Sequence, residues 1–350
     1  MQTSKSIEKH QGFDTILNAD VTEWCSIENV HKFMVCGTYQ LNESSNQQAE
    51  PQTRKGHFEI YKLEENSPEN SPENSPKLTS IAKCETSGVL DIKWSPNQSD
   101  SPIFGLVDAQ GKTQFYSLEN SDKIYQKIGD LSIEDNGLGL AICWNRLNNV
   151  ITSTSKGNLT LIDVNERLKL KNSWNAHEYE AWTCAFDHNE THIIYSGGDD
   201  CKFKVWDMRN NCNEAVGCIS KEHSMGVTNI TVNPMNSNII CTGSYDEYLR
   251  EWDTRVLRKP LQELNVGGGV WRIKYSPFGN NHVAIAAMHN GVHIVSLADP
   301  NDHFHFMEHE SMVYGIDWCY EKLNKNQFLL SSCSFYDHSL KLWSWKSDET

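Results

Sequence analysis

Two stretches, one period apart, constrain this chain more than any other feature: YSGGDDCKFKVWDMR, Tyr195 to Arg209, and CTGSYDEYLREWDTR, Cys241 to Arg255. Each reads as an alternating strand, a tight acidic turn at Asp200 or Asp246, a second alternating strand, then Trp-Asp and, soon after, Arg. Period-two alternation excludes an amphipathic helix for both. Trp206 and Trp252 stand 46 residues apart, close to the repeat length of about 40–45 residues of four-stranded sheet units arranged in a ring.

This is the grammar of a WD repeat, and seven copies of it can be found. The first runs from about Asp14 to Leu63, with strands over VTEWCS, FMVCGTYQ and HFEIYKL; the second spans Cys84 to Leu118 and the third Gly137 to Val164. The fourth and fifth end on the two anchors, from Asn175 and Glu222; the sixth spans Gly267 to Leu297 and the seventh His305 to Trp345. From Tyr116 through Ile162, Trp206, Trp252, Val295 and Trp343, closing positions recur at intervals of 46, 44, 46, 43 and 48. An all-β, seven-bladed WD-repeat β-propeller is therefore expected over 14–347, with tails at 1–13 and 348–350. Three ENSP units between Glu65 and Pro76 predict a disordered polar loop at about 64–80.

Composition narrows the class further. No apolar run approaches the roughly 20 residues that cross a bilayer, and the first residues lack the apolar stretch of a secretory signal, so a cytoplasmic protein is expected. Eleven scattered cysteines form no CxxC pattern and read as reduced core residues. A net charge of −15 argues against nonspecific nucleic-acid binding; it suits a basic protein partner or serves solubility alone.

In WD repeats a buried His, Ser or Thr, Asp and Trp join the strands of one blade. The matching residues are His177, Asp200 and Trp206; His223, Ser244, Asp246 and Trp252; and His309, Asp337 and Trp343. Set apart from these are the positions expected at one end of the central opening: Glu180, Trp182, Asp199, Tyr245, Trp271, Tyr314 and Tyr336, with Thr228, Met288 and Met312, and with Gly226 and Gly269 making room. Large aromatics beside carboxylates hold quaternary ammonium groups; an ordinary protein-binding face has the same composition. Blade six is irregular: His289 stands where other blades carry Asp, and no closing Trp follows, which frees this histidine for acid–base work or leaves it capping the turn. His303, His305 and His309 have no Cys or acid at ligand spacing, so no metal site is expected.

TGSYDEYLREWDTR (Thr242 to Arg255), GGVWRIKYSPF (Gly268 to Phe278), AAMHNGVHIV (Ala286 to Val295) and CSFYDHSLKLW (Cys333 to Trp343) resemble the diphthine methyl ester hydrolases, WD-repeat proteins of diphthamide biosynthesis often named diphthine methyltransferases. The resemblance is strong from about Tyr195 to Trp345 and weak over the first two blades. It implies hydrolysis of the methyl ester of methylated diphthine on elongation factor 2, without a cofactor, before a separate ligase amidates the product. Elongation factor 2 is then the partner, with the amidating ligase a further one. A closed ring needs no second copy to complete its sheets, so a monomer is expected.

Diphthine carries a trimethylammonium group, which suits a cage of Trp182, Trp271, Tyr314, Tyr245 and Tyr336 with Glu180 or Asp199 close by. For the chemistry, His289 is the expected activator of water and Asp199 or Glu180 its orienter. Arg272 or the backbone N–H groups of Gly267 to Gly269 are the expected oxyanion donors. A serine nucleophile near the turns, Ser244 or Ser334, stays open. So do two noncatalytic readings, an adaptor presenting modified elongation factor 2 and a generic scaffold.

Overall fold

Seven four-stranded antiparallel sheets make up the computed structural model, which describes residues 6–42, 53–64, 75–97, 101–119, 124–165, 167–210, 212, 214–299 and 301–347. In six of the sheets the strands follow chain order from the axis outward, the seventh taking its outermost strand from the start of the chain, and the opening strands touch one another in a ring that returns from the last blade to the first. The expected seven-bladed propeller is the observed fold. No helix among the described residues is long and apolar enough to cross a membrane.

Burial explains why these segments are strands. Near the axis both faces of a sheet meet a neighbouring blade, and all six residues of Ala19–Trp24 are buried. At the circumference the fourth strand is half solvated, as in Lys169–Asn175, where exposed and half-buried residues alternate over the second half. The core is thus seven clusters distributed around the ring, each shared between or within blades, such as Phe58, Trp94, Phe104 and Tyr116 between blades one and two.

The structure corrects several sequence boundaries. Residues 1–13 are not simply a tail: Ser6–Asp14 is the outermost strand of blade seven and pairs with Ser339–Lys346, with Ser6 opposite Lys346 and Asp14 opposite Ser339. The ring is closed by joining the two ends of the chain, which removes the edge that Ser339–Lys346 would otherwise expose. Cys84 lies on Leu78–Ser87, the outer strand of blade one, and His305 on His303–Phe306, the outer strand of blade six, so neither begins the following copy. Of the polar loop expected at 64–80, residues 65–74 lie outside the described residues and 78–80 belong to Leu78–Ser87; the tail expected at 348–350 lies outside the described residues too.

Hydrogen-bonded sets fasten three blades, with one correction to their members. In blade four, Trp206 Nε1 donates to Ser196 Oγ (2.8 Å), Ser196 joins His177 Nε2 (2.8 Å), and His177 Nδ1 reaches Asp200 (2.8 Å). In blade five the hydroxyl is Thr242, not Ser244: Trp252 Nε1 donates to it at 2.9 Å, while Ser244 is turned to the Met225 carbonyl. There Arg250 intervenes, its Nη1 donating to both His223 Nδ1 (3.1 Å) and Asp246 (2.9 Å). In blade seven Ser332 takes the hydroxyl place and Ser334 relays His309 to Asp337. With burial and the adjacent Arg250 both opposing protonation, the His223 imidazole is pushed down to about 4.

Candidate functional site

The seven opening strands carry one register, and it decides where the central channel is open. Counted in that register, in which Trp182 and Trp271 stand just ahead of the strands Thr183–Phe186 and Arg272–Tyr275, the second position of each copy reads Asp20, Leu90, Leu140, Trp182, Thr228, Trp271 and Tyr314. At the third and fifth positions, blades three to five carry small side chains, Ala141, Cys143, Thr183, Ala185, Asn229 and Thr231. Blades one, two, six and seven place Glu23, Asp91, Lys93, Arg272, Lys274 and Asp317 there. These long charged side chains fill their side of the channel as ion pairs: Arg272 with Asp91 (2.7 Å), Lys93 with Asp91 (3.0 Å) and Glu23 (3.1 Å), and Lys274 with Glu23 (2.5 Å) and Asp317 (3.3 Å). A cavity of about 490 Å³ is left against the small-residue side and runs from the rim down the strands of blades three, four and five.

At its mouth stand the aromatic residues expected from sequence. Trp182, Tyr245 and Trp271 form a three-sided corner, with ring centroids 6.0 Å (Trp182 to Tyr245), 5.6 Å (Trp182 to Trp271) and 5.8 Å (Tyr245 to Trp271) apart and interplanar angles of 82°, 61° and 50°. Tyr314 continues the wall at 4.8 Å from Trp271. Rings inclined in this way, about 6 Å apart, can each present a face to one cation standing within contact distance of all of them. Asp199 accepts a hydrogen bond from Trp182 Nε1 at 3.0 Å, which fixes that ring. Gly226 is what lets Asp199 approach, since a Cβ there would lie 2.6 Å from its Oδ1; a Cβ on Gly269 would lie equally close to Met288 Sδ.

Not all the expected residues meet. Glu180, Trp182, Tyr245, Trp271, Arg272 and Tyr314 line the cavity. Asp199 sits behind Trp182 and is itself exposed. Tyr336 is 63% exposed, is outside the cavity lining, and stacks edge-on against Phe335, whose ring is 5.0 Å from its own. His289 is exposed on the turn between two strands of blade six and is outside the cavity lining. The N–H of Gly267 is taken by Asn265 Oδ1 at 2.8 Å. Ser334 is buried in the blade-seven set.

Three residues of blade one complete the lining without having been singled out from sequence: Asp20, Tyr39 and Arg54. Asp20 was legible in principle, because it occupies the opening-strand position that gives Trp182, Trp271 and Tyr314. It is 3% exposed. Burial pushes its carboxyl up to about 8, against the pull of Arg272 and helped by the charge of Asp91. For Asp91, burial is more than offset by Lys93 and Arg272, which hold it down at about 2. Arg272 commits Nη1 to Asp91, yet its buried Nε–H has no acceptor among the described residues. One cavity therefore holds a cation-accepting aromatic corner and a carboxyl of near-neutral pKa, with the Arg272 guanidinium in its wall.

The WD domain, G-beta repeat family matches residues 168–207 and 216–253. The chain is 37% identical over 335 residues to a diphthine methyltransferase of Mus musculus, covering 88% of this chain and 69% of that protein. It is 35% identical over 357 residues to a diphthine methyltransferase homolog of Dictyostelium discoideum, covering 93% and 96%. It is 34% identical over 341 residues to a diphthine methyltransferase of Homo sapiens, covering 88% and 74%. Among solved structures, a chain in a crystal structure of the mitotic checkpoint complex is similar with a TM-score of 0.68, covering 100% of this chain and 94% of that one at 16% identity, a likeness of fold alone.

Proposed function

The chain belongs to the diphthine methyltransferase family of WD-repeat proteins, and from that membership we propose that it acts in diphthamide biosynthesis, hydrolysing the methyl ester of methylated diphthine on elongation factor 2. The observation that carries the reading is the presence, in one cavity, of the aromatic corner and the Asp20 carboxyl. A trimethylammonium cannot donate a hydrogen bond, so ring faces and nearby carboxylates are what can hold it, and Trp182, Tyr245, Trp271 and Tyr314 with Glu180 supply both.

In this mechanism Asp20 takes the role of base in place of His289. Alone, it is mostly protonated at neutral pH. A quaternary cation in the corner favours its ionised form, so the base is switched on by substrate. The Asp20 carboxylate removes a proton from water as the water oxygen bonds to the ester carbonyl carbon. The Arg272 guanidinium in the cavity wall places its positive charge beside the oxygen that becomes negative. When the intermediate collapses, the C–O bond to the methoxy group breaks, Asp20 gives its proton to the departing oxygen, methanol leaves, and the new carboxylic acid on the substrate loses its remaining proton to solvent. No redox change or methyl acceptor is involved.

The test is methanol release from elongation factor 2 bearing methylated diphthine, with protein alone and no added cofactor. Wild type is expected to release it and Asp20→Asn to lose turnover by about 10²-fold or more while still binding substrate. Complex formation without methanol from wild type would support the adaptor reading instead. A strict need for an added methyl donor or acceptor would support transfer rather than hydrolysis.

A further inference from the structure

Blade six is the one irregular sheet among those that carry the repeat motif in the second half of the chain. In the places held by Ser196, Asp200 and Trp206 of blade four it has Ile285, His289 and Val295, so no such hydrogen-bonded set fastens it. Three other histidines are gathered on the same sheet. His293 lies on Val292–Ser296 and is paired directly across from His305 on His303–Phe306, with His303 two residues earlier on the same face. That face also carries Val295, which packs with Cys241 and Leu249 of blade five.

The ring centroids are 4.3 Å apart for His293 and His305, 4.4 Å for His303 and His305, and 4.9 Å for His293 and His303. One nitrogen from each lies within 4.8 Å of the others. His293 is 1% exposed, and its Nε2–H donates to the Asn290 carbonyl at 3.0 Å. That bond fixes the tautomer and leaves the lone pair of Nδ1 aimed at His303 Nε2, 2.7 Å away. A backbone carbonyl on the far nitrogen is the usual outer support of a metal-ligating histidine. At present a single proton joins the two imidazoles. A zinc ion with bonds of about 2.0–2.1 Å in its place needs the ligand nitrogens roughly 3.3 Å apart, a small widening that the half-buried His303 and exposed His305 can make by side-chain rotation.

We propose that His293 Nδ1, His303 and His305 bind a zinc-type divalent transition-metal ion, with water as the fourth ligand, and that this ion clamps the third and outer strands of blade six where the hydrogen-bonded set is missing. The neutral imidazole set, without carboxylate or thiolate, selects zinc or copper over magnesium or calcium. The placement on the circumference makes the ion structural for the sheet, remote from the cavity at the axis.

The experiment uses the full chain without a purification tag, equilibrated with zinc, desalted and analysed for metal content, with thermal unfolding measured with and without added zinc. About one zinc per chain and a zinc-dependent rise in Tm of roughly 5 °C are expected at about a hundredfold excess over Kd. The double variant His303→Gln, His305→Gln, which changes only the two more accessible ligands, should fold, lose the ion and lose the rise. Cobalt substitution should give the intense visible bands of a four-coordinate site in wild type only. Absence of bound zinc from wild type, or equal zinc in the double variant, would overturn the assignment.

Discussion

Trp271 touches every other ring of the corner, at 5.6 Å from Trp182, 5.8 Å from Tyr245 and 4.8 Å from Tyr314. Its replacement by Ala should weaken binding of methylated-diphthine elongation factor 2 by about 2 kcal/mol, roughly thirtyfold, as read by titration calorimetry. A trimethylammonium-free version of the substrate should not feel the change. Asp20 makes an opposite pair of predictions. Its folded-state pKa is raised above the unfolded value, so the folded chain binds the extra proton between about 4 and 8 and stability falls as pH rises through that window. Asp20→Asn should therefore raise Tm at pH 8 by on the order of 2 °C while removing turnover. In wild type, kcat/KM should rise with pH to a plateau above about 8, the range of the free carboxyl. The rim aromatics were legible in the sequence because their distance from the structural residues is constant within each copy. Asp20 was passed over because the copy that holds it lacks the Trp-Asp ending that anchors the count.

Single blades differ in how they are fastened. Ser196 serves both Trp206 Nε1 and His177 Nε2 in blade four, so Ser196→Ala strands two buried polar groups. A loss of about 1–3 kcal/mol is expected in urea unfolding, with the aromatic corner and substrate affinity unchanged. Three strands of each copy could be read from sequence, since both of their faces are buried and their apolar runs are strong, as in Ala19–Trp24. The fourth could not. Outer strands such as Lys169–Asn175 and Ser6–Asp14 have mostly exposed or half-buried residues and resemble loops in composition. For Ser6–Asp14 the partner is also at the other end of the chain, and no local pattern announces it.

Across the whole ring, function follows from an unequal division of the channel. Ion pairs such as Arg272 with Asp91 and Lys274 with Glu23 join blades that are 181 and 251 residues apart in sequence and close one side. Small side chains on blades three to five leave the other side open as the cavity beneath the corner. Sequence reading found the ring and its rim but not this division, because a charge network depends on which strands face each other across the axis. The same network explains why Arg272, named from sequence as an oxyanion donor, commits Nη1 to Asp91. The most direct test of the account is to incubate the purified protein with methylated-diphthine elongation factor 2 in ¹⁸O-labelled water, without cofactor, and to weigh the modified peptide. Hydrolysis through water activated by Asp20 predicts loss of the ester methyl, unlabelled methanol, and one heavy oxygen in the new carboxylate. Loss of the methyl without any heavy oxygen, or no loss at all, would contradict it.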